Sequence, residues 1–272
     1  MGWSELLIGR SHECDFPAEI SSLPVCSEAL IPANLDSAAI DKAVKQQLSN
    51  MLSIYRIDGA LLRELAPDII LTQSQCKVCA VSIEDVEAEL EATWGTGKRP
   101  KIVSLEPHSL EDIWDDFVAI AAACGDESRG IDLASRCQDA MEAIAKARAS
   151  QPSPTVAMIE WIEPLMAAGN WIPQMVEMLG AKCLFGEAGQ HSPWMSFEAL
   201  AESDPDVIVI APCGFDTEKI CSEMHWLESR PDWHQLRAVR EARVRILDGN
   251  QYFNRSGPRL VDSLRLLAEA LR

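Results

Sequence analysis

The stretch RSHECDFP, residues 10–17, sets an arginine, a histidine, a glutamate, a cysteine and an aspartate within six positions. Side chains of these types ligate metals, move protons or grip polar ligands, and they rarely fill a core. Cys76 and Cys79, in SQCKVCAVS, form a lone C-x-x-C. A four-cysteine structural zinc site needs a second such pair, and the chain has none. Lys77 lies between the two thiols and leaves a redox role open, beside the plain reading of a half-buried loop pair. With His12 and Cys14 the pair makes a candidate zinc or copper(I) site, because soft thiolates and an imidazole suit those ions.

Other candidates sit where strands are expected to end. Gln73 closes DIILTQ, and Glu106 and His108 follow KIVSL. Ser109 with Asp112 three residues later resembles a capping box, so His108 has a bland reading as a solvated loop residue beside a helix start. Glu160 and Trp161 close TVAMIEW, Trp171 opens the next helix, and HSPW carries His191 and Trp194. A tryptophan at a strand end is either core or a cover for a flat ligand. No G-x-S-x-G, P-loop or G-x-G-x-x-G occurs, so catalysis has no local signature and pocket chemistry is the stronger reading.

The elements that must position these groups alternate. SELLIG, DIILTQ and KIVSLEP read as strands of a first α/β block, with helices in SAAIDKAVKQQLSN, DGALLRELAPD and IEDVEAELEATWG. Two helices follow, SLEDIWDDFVAIAAACG and a longer one whose apolar positions Ile131, Ala134, Cys137, Met141 and Ile144 predict one buried stripe. QPSP at 151–154 marks a boundary. Beyond it, TVAMIEWI, KCLFG, DVIVIAP and VRILDG read as strands among helices IPQMVEMLG, SFEALAES and GPRLVDSLRLLAEALR. The expected organisation is an N-terminal α/β lobe over 1–125, a connecting helix over 126–150 and a C-terminal α/β lobe over 151–272. In parallel sheets ligands gather at the carboxyl ends of strands, which is where the candidates fall.

Bulk properties narrow the partners. The 272 residues are 47% hydrophobic and 24% charged, as in ordinary globular proteins. A formal charge of −18 disfavours nucleic acid and anionic membrane surfaces, which need a basic face. A small-molecule ligand is the expected partner, bound by a monomer. No apolar run approaches the ~20 residues of a membrane span, and the opening MGWSELLIGRSHECD lacks the features of a signal peptide. Nine irregularly spaced cysteines fit a reducing compartment, so the expected location is cytoplasmic.

GRSHECDFP, LRELAPDIILTQ and QYFNRSGPRLVDSLRLLAEAL together resemble the cobalamin-type substrate-binding proteins of ABC importers, relatives of the iron-siderophore receptors in the class III periplasmic binding protein family. The matching patterns are x-S-x-x-x-D-[YF]-P over 11–17, [PD]-x-[LIV]-[LIV] before Gln73, and aromatic-F-x-R-x-x-P-R over 252–259. GNWIPQMVEMLGAKCLF and FEALAESDPDVIVI look like the family's second lobe, so the resemblance covers nearly the whole chain. It implies two Rossmann-like α/β lobes with parallel sheets, joined by a long rigid helix, with the ligand in a cleft between them. The family's opening strand and helix have no counterpart here. An exported member's signal would lie upstream, which makes a periplasmic or extracytoplasmic location the alternative. Gln73 stands where cobalamin receptors carry a tryptophan, and Tyr252 matches the family's aromatic position. Asn254 stands where the resemblance implies one permease-docking glutamate and Ala60 falls near the position of the other, so both acidic anchors look replaced.

The leading expectation is a non-catalytic binding protein for a cobalamin-like corrinoid or related metal chelate, with no cofactor required and an ABC permease as candidate partner. Its ligand contacts would come from His12, Glu13, Cys14, Gln73, Cys76, Cys79, Glu106, Glu160, Trp161, Trp171, His191, Trp194, Tyr252 and Arg255. In the opening cluster Asp15 and Pro17 would shape the turn; the bland reading pairs Arg10 with Asp15 and leaves the rest solvated. Two alternatives stay open: direct zinc or copper binding by His12, Cys14, Cys76 and Cys79, and an enzyme acting on a tetrapyrrole or thiol.

Overall fold

Short apolar runs between amphipathic helices pair mostly in parallel, the arrangement expected of an α/β chain. The structure is a computed structural model that describes residues 1–50, 53–74, 83–94 and 98–272. They divide into two compact units. The first comprises Met1–Leu35, Ala39–Glu106 and Asp116–Ile131, and the second Asp36–Ala38, Pro107–Asp115 and Asp132–Arg272.

In the first unit β1 (Ser27–Ala29) pairs antiparallel with β2 (Tyr55–Ile57), while β3 (Ile69–Gln73) runs parallel to β4 (Lys101–Leu105). Helix α1 (Ser37–Ser49) has its first residues in the second unit and the rest here. Helix α2 (Gly59–Leu65) starts where the Asp58 side chain accepts from the Leu61 amide at 2.9 Å, and it stops at the left-handed Ala66. Helix α3 (Ile83–Trp94) buries Val86 and Leu90. SELLIG is not a strand. Ser4–Leu6 form a 3₁₀ turn, and Leu6, Leu7 and Ile8 are 56%, 43% and 41% exposed. An apolar run becomes a strand only with a ladder to join, and the bridge described here, Arg10 to Val25, is isolated and falls just past the segment.

Helix α4 (Leu110–Ala123) is capped by Ser109 and Asp112 in the anticipated reciprocal way. The Asp112 carboxylate accepts from the His108 and Ser109 amides, and the Ser109 hydroxyl accepts from the Asp112 amide. Burial works to raise the Asp112 pKa, but these donors outweigh it and hold the carboxyl below its ordinary value. Helix α5 (Glu127–Arg148) is unbroken, but its buried stripe differs from the expected one. Ala134, Cys137 and Met141 are buried, whereas Ile131 is 52% exposed and Gly130 is buried in its place. A Cβ on Gly130 would come within 2.4 Å of the Phe117 carbonyl, so α5 lies against α4 closely enough to exclude any side chain there.

The second unit is built around β5 (Thr155–Trp161). One edge of β5 is shared end to end by β7 (Lys182–Leu184), parallel, and by the short antiparallel β6 (Met166–Ala167). The other edge pairs with β8 (Val207–Ile210), which in turn pairs with β9 (Val244–Ile246). All four residues of β8 are fully buried, which explains its unbroken β-branched sequence. Helices α6 (Ile172–Met178), α7 (Phe197–Ser203), α8 (Thr217–Glu223), α9 (His225–Glu228), α10 (Arg237–Arg240) and α11 (Leu260–Ala270) complete the unit. The sequence reading anticipated neither the β1–β2 pair, nor β6, nor α8 to α10.

Arg148, 3% exposed, donates to the Leu179 carbonyl after α6 and to the Leu271 carbonyl after α11. One buried cation thereby satisfies two helix C-termini. Burial, with Arg243 adding, lowers its pKa. Burial likewise pushes the half-buried Cys183 thiol up to about 11, with Glu177 adding, which keeps it protonated at neutral pH.

The starts of β5 and β8 are locked reciprocally. The Thr155 amide and hydroxyl donate to Asp206 at 2.8 and 2.7 Å, and the Thr155 hydroxyl accepts from the Asp206 amide at 3.0 Å. Those Thr155 donors, against burial and with Arg237 and Arg243 adding, hold the Asp206 carboxyl below its ordinary value of 3.8. A carboxyl lowered in the folded state adds stability that is complete above its unfolded value and is lost as pH falls through the folded one. Asp206→Ala should therefore cost about 2–3 kcal/mol at neutral pH and flatten the acid limb of the stability curve below about pH 4. Urea denaturation across that range checks both effects, and a variant keeping the wild-type acid limb would contradict the assignment.

Candidate functional site

The carboxyl edge of the second unit's sheet gathers chemistry because β5 and β8 are too buried to carry polar groups along their length. Glu160 and Trp161 end β5. Past β8, the Ala211 amide donates to Ile159 and the Cys213 amide to Glu160, while past β9 the Leu247 amide donates to Ile210. Phe215 then accepts from the Gly249 and Asn250 amides at 3.1 and 3.0 Å, which ties the loop after β8 to the π-helical turn Gly249–Phe253 that carries Tyr252. Gly249 is required there, since a Cβ would sit 2.0 Å from the Pro212 carbonyl. Asn254 donates to the Ala211 and Gly249 carbonyls at 3.0 and 3.1 Å and so braces this edge.

Two walls rise from the edge. On one, the Trp161 and Phe215 rings lie 5.1 Å apart at 52°. The Trp161 indole N–H is bracketed by the carbonyls of Glu163 (3.2 Å) and Ser37 (3.3 Å). Tyr252 is half-buried with the Arg259 guanidinium 5.8 Å from its ring, and Arg255 donates to Asn250 at 2.7 Å. On the other, buried Ser192 donates to Glu160 at 2.8 Å and accepts from the Gly169 amide at 3.0 Å. Asn170, left-handed at φ 54°, donates through its amide to Gln190 and meets the His108 ring at 3.4 Å. His191 contacts the Ser192 carbonyl, and Trp194 is 57% exposed although its backbone bridges to Met166.

Glu160, Trp161, His191, Trp194, Tyr252 and Arg255 thus belong to one sheet edge and the segments stitched to it. Trp171 does not offer a ligand face as expected. It is 4% exposed, and its indole N–H donates to Phe253 at 3.0 Å, so it is core that fixes the neighbour of Tyr252. Ser192, Asn170 and Phe215 escaped the sequence reading, although Phe215 follows a strand end by the same logic that selected Trp161. A cavity of about 220 Å³ lined by Glu163, Leu165, Phe197, Leu227 and Arg230 lies beside this edge, below the ~300–1,000 Å³ of ordinary ligand pockets.

In the first unit Gln73 and Glu106 share the carboxyl edge of the β3–β4 pair, where the Ser74 amide donates to the Leu105 carbonyl. The RSHEC segment lies elsewhere in that unit, against β1 and β2. His12 Nδ1 is 2.9 Å from the Ser27 hydroxyl, its ring 5.3 Å from Tyr55 and its Nε2 3.6 Å from exposed Glu13. Arg10 donates to the Ser11, Cys14 and Ser21 carbonyls, which makes it the clamp of this loop. Cys14 is exposed and 3.2 Å from the Ser11 hydroxyl. Cys76 and Cys79 lie outside the described residues. Among the described residues no three His, Cys, Asp or Glu side chains are grouped to hold a metal.

A family model described as periplasmic binding protein matches residues 56–251, more than half of the chain. The chain belongs to the periplasmic binding protein family. Membership makes it a solute-binding protein, as the resemblance in its motifs implied. The fold is shared with an ABC transporter substrate-binding protein from Listeria monocytogenes (TM-score 0.71, 15% identity, 97% of this chain and 90% of that one). It is shared also with the periplasmic vitamin B12 binding protein BtuF of Vibrio cholerae (TM-score 0.66, 18% identity, 97% and 88%). A periplasmic heme binding protein from Pseudomonas aeruginosa gives TM-score 0.69 at 22% identity over 99% and 86%. No curated protein matches the chain in sequence.

Within this binding protein, Ser192 is the joint between Glu160 and the backbone of the facing segment. Ser192→Ala should leave the Gly169 amide without that acceptor and cost about 1–3 kcal/mol. Thermal unfolding checks this; an unchanged melting temperature would show that the joint carries no strength.

Proposed function

We propose that this protein binds a cobalamin-like corrinoid or a related metal chelate without transforming it, as the solute-binding component of an ABC-type uptake system working outside the cytoplasm. The observation that carries the reading is the pairing of aromatic faces with a carboxylate at one sheet edge. Trp161 and Phe215 form a tilted pair beside Glu160, with Trp194 exposed nearby. Aromatic walls with few polar anchors suit a flat, largely apolar ligand carrying polar substituents. A macrocycle is too large for the adjoining 220 Å³ cavity and would lie on the open edge. The fold's occurrence in proteins described as binding vitamin B12 and heme supports the same ligand class.

Tyr252 and Arg255 would meet the ligand from the π-helical turn, and His191 from the opposite wall. Docking on a permease would proceed without the family's two glutamates, because Asn254 is committed to bracing the Ala211 and Gly249 carbonyls.

Equilibrium dialysis against hydroxocobalamin and hemin tests the reading. Trp161→Ala and Tyr252→Ala should each weaken binding by about 1–3 kcal/mol, roughly five- to 150-fold. Replacing Cys76 and Cys79 together by serine should change it little. Saturable binding that both aromatic variants retain in full would refute the site, and collapse in the double cysteine variant would favour direct metal ligation.

A further inference from the structure

We propose that Glu223 is a positioning residue for this site, acting through Ser37 and Lys219 to set the two aromatic rings; the inference rests on the reading of Trp161 as a ligand contact. Glu223 ends α8 and is 2% exposed. Its Oε2 accepts from the Ser37 amide at 3.1 Å and the Ser37 hydroxyl at 2.7 Å. Its Oε1 is 3.0 Å from Lys219 Nζ, one helical turn back.

Each arm ends on an aromatic ring. Ser37 is itself fully buried, and its carbonyl faces the Trp161 indole N–H at 3.3 Å. An indole has a single donor, so acceptors at Ser37 and Glu163 on either side of it define the ring's orientation. The Lys219 ammonium lies 5.3 Å from the Phe215 centroid, on the ring that packs against Trp161. A buried ion pair is weak as a stabiliser, because desolvating both charges offsets most of their attraction. What this carboxylate adds is orientation: Oε2 holds Ser37, whose carbonyl accepts from the Trp161 indole N–H, and Oε1 holds the cation over Phe215.

The test uses the full chain labelled with 5-fluorotryptophan, with the Trp161 ¹⁹F signal assigned by its loss in Trp161→Phe. Glu223→Ala and Ser37→Ala should each move or broaden the Trp161 signal while the buried Trp171 and Trp233 signals stay in place. Hydroxocobalamin affinity should fall about three- to tenfold, the worth of one lost hydrogen bond. Glu223→Gln, which keeps an oxygen facing Ser37, should restore the Trp161 signal. Should Glu223→Ala fail to fold, Ser37→Ala decides alone. If Trp161→Phe weakens binding but neither alanine variant alters the Trp161 signal or the affinity, the inference is overturned and the ligand reading stands. If Trp161→Phe binds as tightly as wild type, the ligand reading fails, and a displaced Trp161 signal still upholds the link from Glu223 to the ring.

Discussion

β5 and β8 pair through residues 156–159 and 207–210, side chains almost wholly removed from water on both faces of the sheet. Burying each such Val or Ile contributes about 1.5–3 kcal/mol relative to exposure, so neither strand admits a polar group along this buried stretch. That restriction places Glu160 and Trp161, and after them Cys213 to Phe215, at one edge. It also brings to that edge residues far apart in sequence: each strand supplies its last residue and the loop behind it.

Holding that edge takes a set of polar joints. The Thr155–Asp206 lock sets the register of β5 and β8 at their starts. Asn254 and Gly249 bring the π-helical turn against the loop after β8, and Trp171 anchors Phe253 from beneath. Ser192 connects Glu160 to the backbone at Gly169, where a Cβ would approach the Gln190 carbonyl to 2.5 Å. Binding surfaces made of loops are precise only when such joints remove their freedom.

Much of this was legible in the sequence. The helices α4, α5 and α11 and strands β5 and β8 follow from periodicity, apolar runs and caps such as Ser109. Glu160 and Trp161 do end a strand, as the sequence pattern implied. The failures share a cause, which is that local pattern does not reveal a partner distant in sequence. SELLIG has strand composition but turns as a 3₁₀ helix at Ser4–Leu6, Ile131 is displaced from the buried stripe by the close approach at Gly130, and Trp171 is core because Phe253 reaches it. Ser192 and Ser37 matter only through Glu160 and Glu223, 32 and 186 residues away, and no spacing rule points to them.

The family places the chain among binding proteins, and the edge of the second unit is the site proposed for that role. Amide ¹H–¹⁵N shift mapping during titration with hydroxocobalamin tests the central claim most directly. The account predicts saturable perturbations concentrated in residues 160–163, 190–194, 213–215 and 250–255. Saturable shifts confined to other segments, with these four unmoved, would contradict it.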